Sequence, residues 1–317
     1  MTLDTQTAAW LQAVADTGLP PLDEMPVADA RATYRAVVAQ CGLPAEEVIS
    51  VTDTVAAGPD GDIPVRIYTP KGSGAFPVLV YFHGGGWVIG DPDVVDGPCT
   101  LFANRAHAVV VSVDYRKAPE APFPAAVDDA VAATRWVAEH AAELNIDPDR
   151  IAVGGDSAGG NLAAVTALTL RDEGGPKLVG QVLLYPATDF RRDTDSARDN
   201  GEGYFLTTAL LDWFSEHYRA DPDDWRASPI RAADHAGLPP ALVVTAEYDP
   251  LRDEGEAYAA KLRDAGVPTQ VKRYDGQIHA FAANLAGAVD FGRAALEDVG
   301  EHLRTAFRLG WTPRLWE

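Results

Sequence analysis

The sequence predicts an α/β fold with a mostly parallel central sheet covered by helices on both faces. Three observations predict it. After a short hairpin near residue 60, apolar strand-like runs alternate with helix-forming stretches to the end of the chain, an order that builds parallel strands with crossover helices. One run, Arg150–Gly154, feeds directly into Gly155-Asp156-Ser157-Ala158-Gly159 and then into the helix former Gly160–Leu168. Another, Phe76–Val80, ends at Tyr81-Phe82-His83-Gly84-Gly85-Gly86-Trp87.

Taken in order, residues 1–45 hold two amphipathic helical patterns, around Ala8–Ala15 and Ala28–Gln40. Ile49–Val55 and Val65–Thr69 read as a hairpin around Pro59-Asp60-Gly61. After the strand–glycine and strand–serine units, Val179–Tyr185 reads as a strand. Residues 188–226 are richly charged and interrupt the alternation, with a helical pattern at Leu210–His217. Ala241–Ala246 reads as a buried strand. Pro250 then suits the first turn of a helix, which makes Asp249 the last residue before it and places Asp253 one turn inside. Thr269–Tyr274 is a further strand, and the final helix carries His302, expected to be exposed. No internal repeat or low-complexity run is present. The 317 residues, 47% of them hydrophobic, are enough for one large core.

The chemistry sits on the turns. A G-x-S-x-G match alone is weak in a chain with 28 glycines. Between a strand and a helix it describes a sharp turn that lifts the Ser157 hydroxyl clear of the backbone and aims the first helix amides at whatever that hydroxyl attacks. Three glycines after a strand can be a plain flexible turn. That reading leaves His83 unexplained, whereas an oxyanion hole explains both: amides converge on a developing negative oxygen only where no side chain intervenes. Gly84, Gly85 and Ala158 are the expected donors, with His83, Gly86 and Asp156 in supporting roles. A general base must follow Ser157 in this chain order, and His217, His235, His279 and His302 are available. His279 is favoured because it follows a strand at the sheet edge where α/β proteins place ligands. Asp249 is the expected acid and Glu247 its runner-up, although an isolated Asp before Pro is more commonly a helix cap.

These motifs resemble the hormone-sensitive-lipase family (family IV) of α/β-hydrolases, in its bacterial subgroup with a GDSAG elbow. The resemblance runs from about Val65 to near His302. It rests on His83–Asp91, Val113-Asp114-Tyr115-Arg116, Ala118-Pro119-Glu120, Phe123-Pro124-Ala125-Ala126, Gly155–Asn161, Asp249–Gly255 and Gly276–Phe281. Lys117 and Ala121 depart from the usual pattern at positions that are not catalytic. The resemblance implies an α/β-hydrolase fold of about eight strands, with residues 1–45 as a helical cap segment and residues 46–317 as the catalytic domain, interrupted by a cap insertion at about 188–226. It implies a serine carboxylesterase acting on short- to medium-chain acyl esters through Ser157, Asp249 and His279, without cofactor or metal. Trp87, Phe205, Leu206 and Leu210 would line the substrate pocket, as would Trp10 and Trp213. Two other readings stand beside it. One is a deacetylase or amidase using the same triad. The other is a non-catalytic receptor on the same fold, which the presence of His279 disfavours.

A formal net charge of −21 argues against nucleic acid and anionic membranes as partners. Cys41 and Cys99 are expected as two lone thiols, and no zinc-like spacing occurs. The start Met1-Thr2-Leu3-Asp4 lacks the features of a signal peptide, and no apolar run is long enough to span a bilayer. A cytoplasmic protein is expected. A homodimer through an edge strand near Thr269–Arg273 is possible on this sequence.

Overall fold

A computed structural model describes residues 2–309. Eight strands form one sheet: β1 (Ser50–Gly58), β2 (Gly61–Thr69), β3 (Phe76–Phe82), β4 (Val109–Val113), β5 (Ile146–Asp156), β6 (Leu178–Leu184), β7 (Ala241–Tyr248) and β8 (Thr269–Ile278). Their spatial order is β1-β2-β4-β3-β5-β6-β7-β8. β2 is antiparallel to both β1 and β4, and every other pairing is parallel. The hairpin is tighter and longer than its apolar residues indicate, because Gly58 pairs with Gly61 and only Pro59 and Asp60 turn.

All residues of β3 and β4 are buried, as strands covered on both faces must be. Pro77 lacks an N–H to give to the sheet, and the β3–β5 register slips at that point, between Phe76 and Val78. Helices α3 (Asp96–Ala106) and α9 (Asp290–Leu309) pack on each other over one part of the sheet. Helices α4 (Ala125–Glu139) and α5 (Ala158–Asp172) form a second packed pair, and α8 (Arg252–Asp264) lies on β7 and β8. His302, expected to be exposed on α9, is buried instead at 9% exposure.

Four further elements stand outside the alternation: α1 (Thr5–Asp16), α2 (Val27–Cys41), α6 (Asp195–Asp199) and α7 (Thr208–Tyr218). The Asp4 side chain caps α1 by accepting from the Gln6 and Thr7 amides, and Thr207 caps α7 by accepting from the Leu210 amide. α2 is tied to the loop after β3. Arg31 donates to the Val88 and Ala118 carbonyls and pairs with Glu120, and Arg35 pairs with Asp91. Because β3 to β8 run parallel, their carboxyl ends share one edge of the sheet, where ligands of such sheets bind. His83, Ser157, Asp249 and His279 all follow those ends.

Candidate active site

Ser157 stands between β5 and α5 at φ 56° and ψ −118°, a conformation that costs a non-glycine residue about 1–3 kcal/mol. Its neighbours hold it there. The Ser157 N–H donates to the Leu184 carbonyl at 2.8 Å, and the Ser157 carbonyl accepts from Asn161 N–H at 3.1 Å and Ala187 N–H at 3.3 Å. The turn closes only because Gly155 and Gly159 lack side chains. A Cβ on Gly159 would lie 1.9 Å from the Phe82 carbonyl oxygen, and one on Gly155 would lie 2.3 Å from the Gly159 carbonyl.

His279 follows the last residue of β8 and is 4% exposed. Its Nε2 lies 2.9 Å from Ser157 Oγ, and its Nδ1 lies 2.7 Å from Asp249 Oδ2. A carboxylate can only accept, so Nδ1 carries the proton and Nε2 offers its lone pair to the serine hydroxyl. Tyr185 packs edge-on against the imidazole, with ring centroids 4.9 Å apart, and its hydroxyl accepts from Ala283 N–H. Asp249 is fully buried, and its Oδ1 accepts from Leu251 N–H at 2.8 Å. The helix after it begins later than Pro250 suggests. α8 starts at Arg252, so Asp249 sits in a turn and Asp253 falls in the first helical turn. Asn200 fastens that turn by donating to the Glu247 and Asp249 carbonyls. Glu247, the other acid considered, accepts from Gly276 N–H instead.

The glycine loop corrects one expectation. Gly84 N–H donates to Asp156 Oδ1 at 3.0 Å, so it is already engaged. Gly85 and Gly86 N–H groups donate to no protein acceptor among the described residues, and both glycines border the space above Ser157. Ala158 opens α5, where the first amides have no acceptor within the helix. Asp156 also accepts from the Tyr81 hydroxyl, and burial raises its carboxyl to about 6. His83 Nδ1–H donates to the Gly84 carbonyl, and its ring stacks on Tyr115 at 4.4 Å. Burial, then the Lys117 charge, lowers His83 to about 4. It is therefore a neutral brace for the loop.

A family model described as the alpha/beta hydrolase fold matches residues 79–283. The chain belongs to the α/β-hydrolase fold family. It is a carboxylic ester hydrolase of the hormone-sensitive-lipase group, family IV. It is 48% identical over 261 residues to the carboxylic ester hydrolase LipN of Mycobacterium tuberculosis, covering 79% of this chain and 69% of LipN. The ethyl acetate hydrolase of Pseudomonas putida is 38% identical over 296 residues, covering 89% of this chain and 92% of that enzyme. Among solved structures, the ester-hydrolase EH1AB1 from the metagenome of Lake Arreo, complexed with a derivative of bipyridine phosphonate, superposes with a TM-score of 0.93 at 42% identity. That match covers 97% of this chain and 100% of that one.

Two cavities meet at Ser157 of this hydrolase. Trp87 and Leu206 line the first; Phe205, Leu206 and Leu210 line the second. Trp10 and Trp213 line neither. Trp10 packs on Phe205 and donates to Cys41 Sγ at 3.2 Å, and Trp213 packs on Phe214 and His217. Both cysteines are free. The remaining candidate histidines lie elsewhere: His217 on α7, His235 bonded to the Pro229 carbonyl, and His302 on α9. Among the described residues, no group of three or more His, Cys, Asp or Glu is placed to hold a metal ion, and no helix is long and apolar enough to cross a membrane.

Sequence reasoning missed Tyr34, Glu254 and Asn284, which also line the cavities. Tyr34 donates to Asn284 Oδ1 at 2.9 Å, joining α2 to the loop after His279. Only Glu254 had a signal, as part of the Asp249–Gly255 motif; a tyrosine in an amphipathic helix and an asparagine in a loop carry none.

Proposed function

We propose that this hydrolase cleaves short- to medium-chain acyl esters through a Ser157–His279–Asp249 triad and a covalent acyl-enzyme. The observation that carries the reading is the single imidazole set 2.9 Å from the Ser157 hydroxyl and 2.7 Å from a buried carboxylate. In the first step Ser157 Oγ bonds to the ester carbonyl carbon while its proton passes to His279 Nε2. Asp249 holds the tautomer and stabilises the imidazolium. Negative charge gathers on the carbonyl oxygen, and the amides of Gly85, Gly86 and Ala158 receive it. Asp156 contributes by anchoring the start of that loop at Gly84. His279 returns the proton to the departing alcohol. Water then attacks the acyl-enzyme with the same proton transfers, releasing the acid and restoring Ser157.

Chain length follows from the walls. Residues 1–45 and the segment at about 188–226 act as a cap over the site, contributing Leu22 and Tyr34 from the first and Leu206, Leu210 and Phe214 from the second. These walls close around a small acyl group and a small alcohol. The name of the Pseudomonas putida relative points to an ester of the same kind. A p-nitrophenyl ester series from acetate to palmitate tests this with wild type and Ser157→Ala. The expected result is a maximum at short chains, a steep fall beyond about ten carbons, and no turnover in the variant. Undiminished turnover in Ser157→Ala, or a maximum at palmitate, contradicts the proposal.

A further inference from the structure

Two cavities lie beside Ser157. The second is lined by Leu22, Ile89, Phe205, Leu206 and Leu210, and also by Tyr34, Asp156 and Asn284, whose Nδ2 has no partner among the described residues. The first carries two buried hydrogen-bonding groups without a protein partner, Trp87 Nε1 and Glu254 Oε2. Trp87 is 5% exposed and stacks flat on Tyr218 at 4.5 Å, which fixes the indole while its N–H meets no acceptor among the described residues. Glu254 is 1% exposed. Its Oε1 accepts from Thr188 N–H at 2.6 Å and Asp189 N–H at 3.1 Å, and its other oxygen is left over. Buried polar atoms of this kind are costly unless something completes them.

We propose that the ester group occupying the Trp87–Glu254 cavity carries an acceptor oxygen, an ether or second carbonyl, bound between Trp87 Nε1 and Glu254 Oε2. The inference rests on Ser157 being the nucleophile, because that serine places the cavity beside the scissile bond. The lining offers two donors. The indole N–H is one. The carboxyl is the other: burial raises Glu254 to about 8 against the lowering by the Thr188 and Asp189 amides, with the Asp189 and Asp249 charges adding to the rise, so it holds its proton at neutral pH. Asp189 is itself paired with Arg231, and Arg192, which also borders the cavity, pairs with Asp212. Neither arginine hydrogen-bonds to Glu254.

The test uses two near-isosteric pairs: p-nitrophenyl butyrate against p-nitrophenyl methoxyacetate for the acyl side, and butyl acetate against 2-methoxyethyl acetate for the alcohol side. The readout is the ether-to-hydrocarbon ratio of kcat/KM in each variant divided by that in wild type, which cancels intrinsic reactivity. In one of the two pairs, Trp87→Phe and Glu254→Leu are expected to lower the ratio about tenfold, and Glu254→Gln, which keeps a donor, to restore it. The wild-type ratio should also fall as pH rises through about 8, where the carboxyl loses its proton, and stay level in Glu254→Gln. The pH comparison and Trp87→Phe decide the matter if Glu254→Leu does not fold. Ratios within about twofold of wild type in both pairs, with no difference in pH dependence, overturn the inference while leaving the nucleophile intact. Failure of wild type to cleave any of the four esters overturns the nucleophile reading itself, and this inference with it.

Discussion

At the scale of single residues, the site depends on which proton each buried group holds. In the proposed triad Asp249 acts through its charge and through having only acceptors. In Asp249→Asn the amide can present N–H to His279 Nδ1 and so favour the wrong tautomer. We expect kcat to fall about 10³–10⁴-fold, with KM little changed, as measured by steady-state kinetics on p-nitrophenyl butyrate. Asp156 acts at one remove. Asp156→Ala frees Gly84 from its anchor and lets the following amides drift. Loss of one oxyanion donor costs about 10²–10³ in kcat, which sets the upper range for this variant. A loss in KM alone would show that Asp156 serves binding instead. That Ser157, His279 and Asp249 come together was legible in the sequence because each follows a strand ending at the same edge of the sheet. The choice among the three glycines was not legible. It depends on a contact 72 residues away in the chain, the Asp156 carboxylate on Gly84 N–H, and no local pattern encodes it.

At the scale of elements, the strand–serine–helix unit is the tightest part of the molecule. α5 approaches β3 so closely that Gly159 has no room for a methyl group. Gly159→Ala must push the helix from the strand, and overpacking of this kind costs about 3 kcal/mol. A urea denaturation midpoint well below wild type, together with reduced kcat, is the expected outcome; an unchanged midpoint would mean that the helix has slack. The strands were readable in position, and their ends less so. β8 resumes its pairing with β7 at Ile278, after Asp275, Gly276 and Gln277 break the register with Gly276 at φ 73°. α8 begins two residues after Pro250 because Asp249 takes the Leu251 amide and holds the chain in a turn. Trp10 and Trp213 looked like pocket residues because large aromatics suit pockets and cores equally. Their packing on Phe205 and Phe214 places them one layer behind the wall.

At the scale of the whole molecule, buried titratable groups set how stability depends on pH. Burial holds both His83 and His302 to about 4, whereas an unfolded histidine titrates near 6.5. Between those values each of these histidines is protonated in the unfolded chain and neutral in the folded one, so the pair subtracts stability as pH drops from about 6.5 to 4, against Asp156 and Glu254, whose raised carboxyls act the other way. Urea denaturation at intervals across that window should show His302→Gln losing less stability than wild type as pH falls. A His302→Gln curve parallel to wild type would show that His302 is not the source. The excess of acidic groups behind the −21 charge sets a separate background, which the paired comparison removes.

The central claim is that Ser157 is a nucleophile activated by His279. A fluorophosphonate probe tests it most directly, with intact-protein and peptide mass spectrometry as the readout. The account predicts one adduct per chain, on the peptide carrying Ser157, absent in Ser157→Ala and formed far more slowly in His279→Ala. An adduct on another residue, or esterase activity that survives complete labelling, would contradict it.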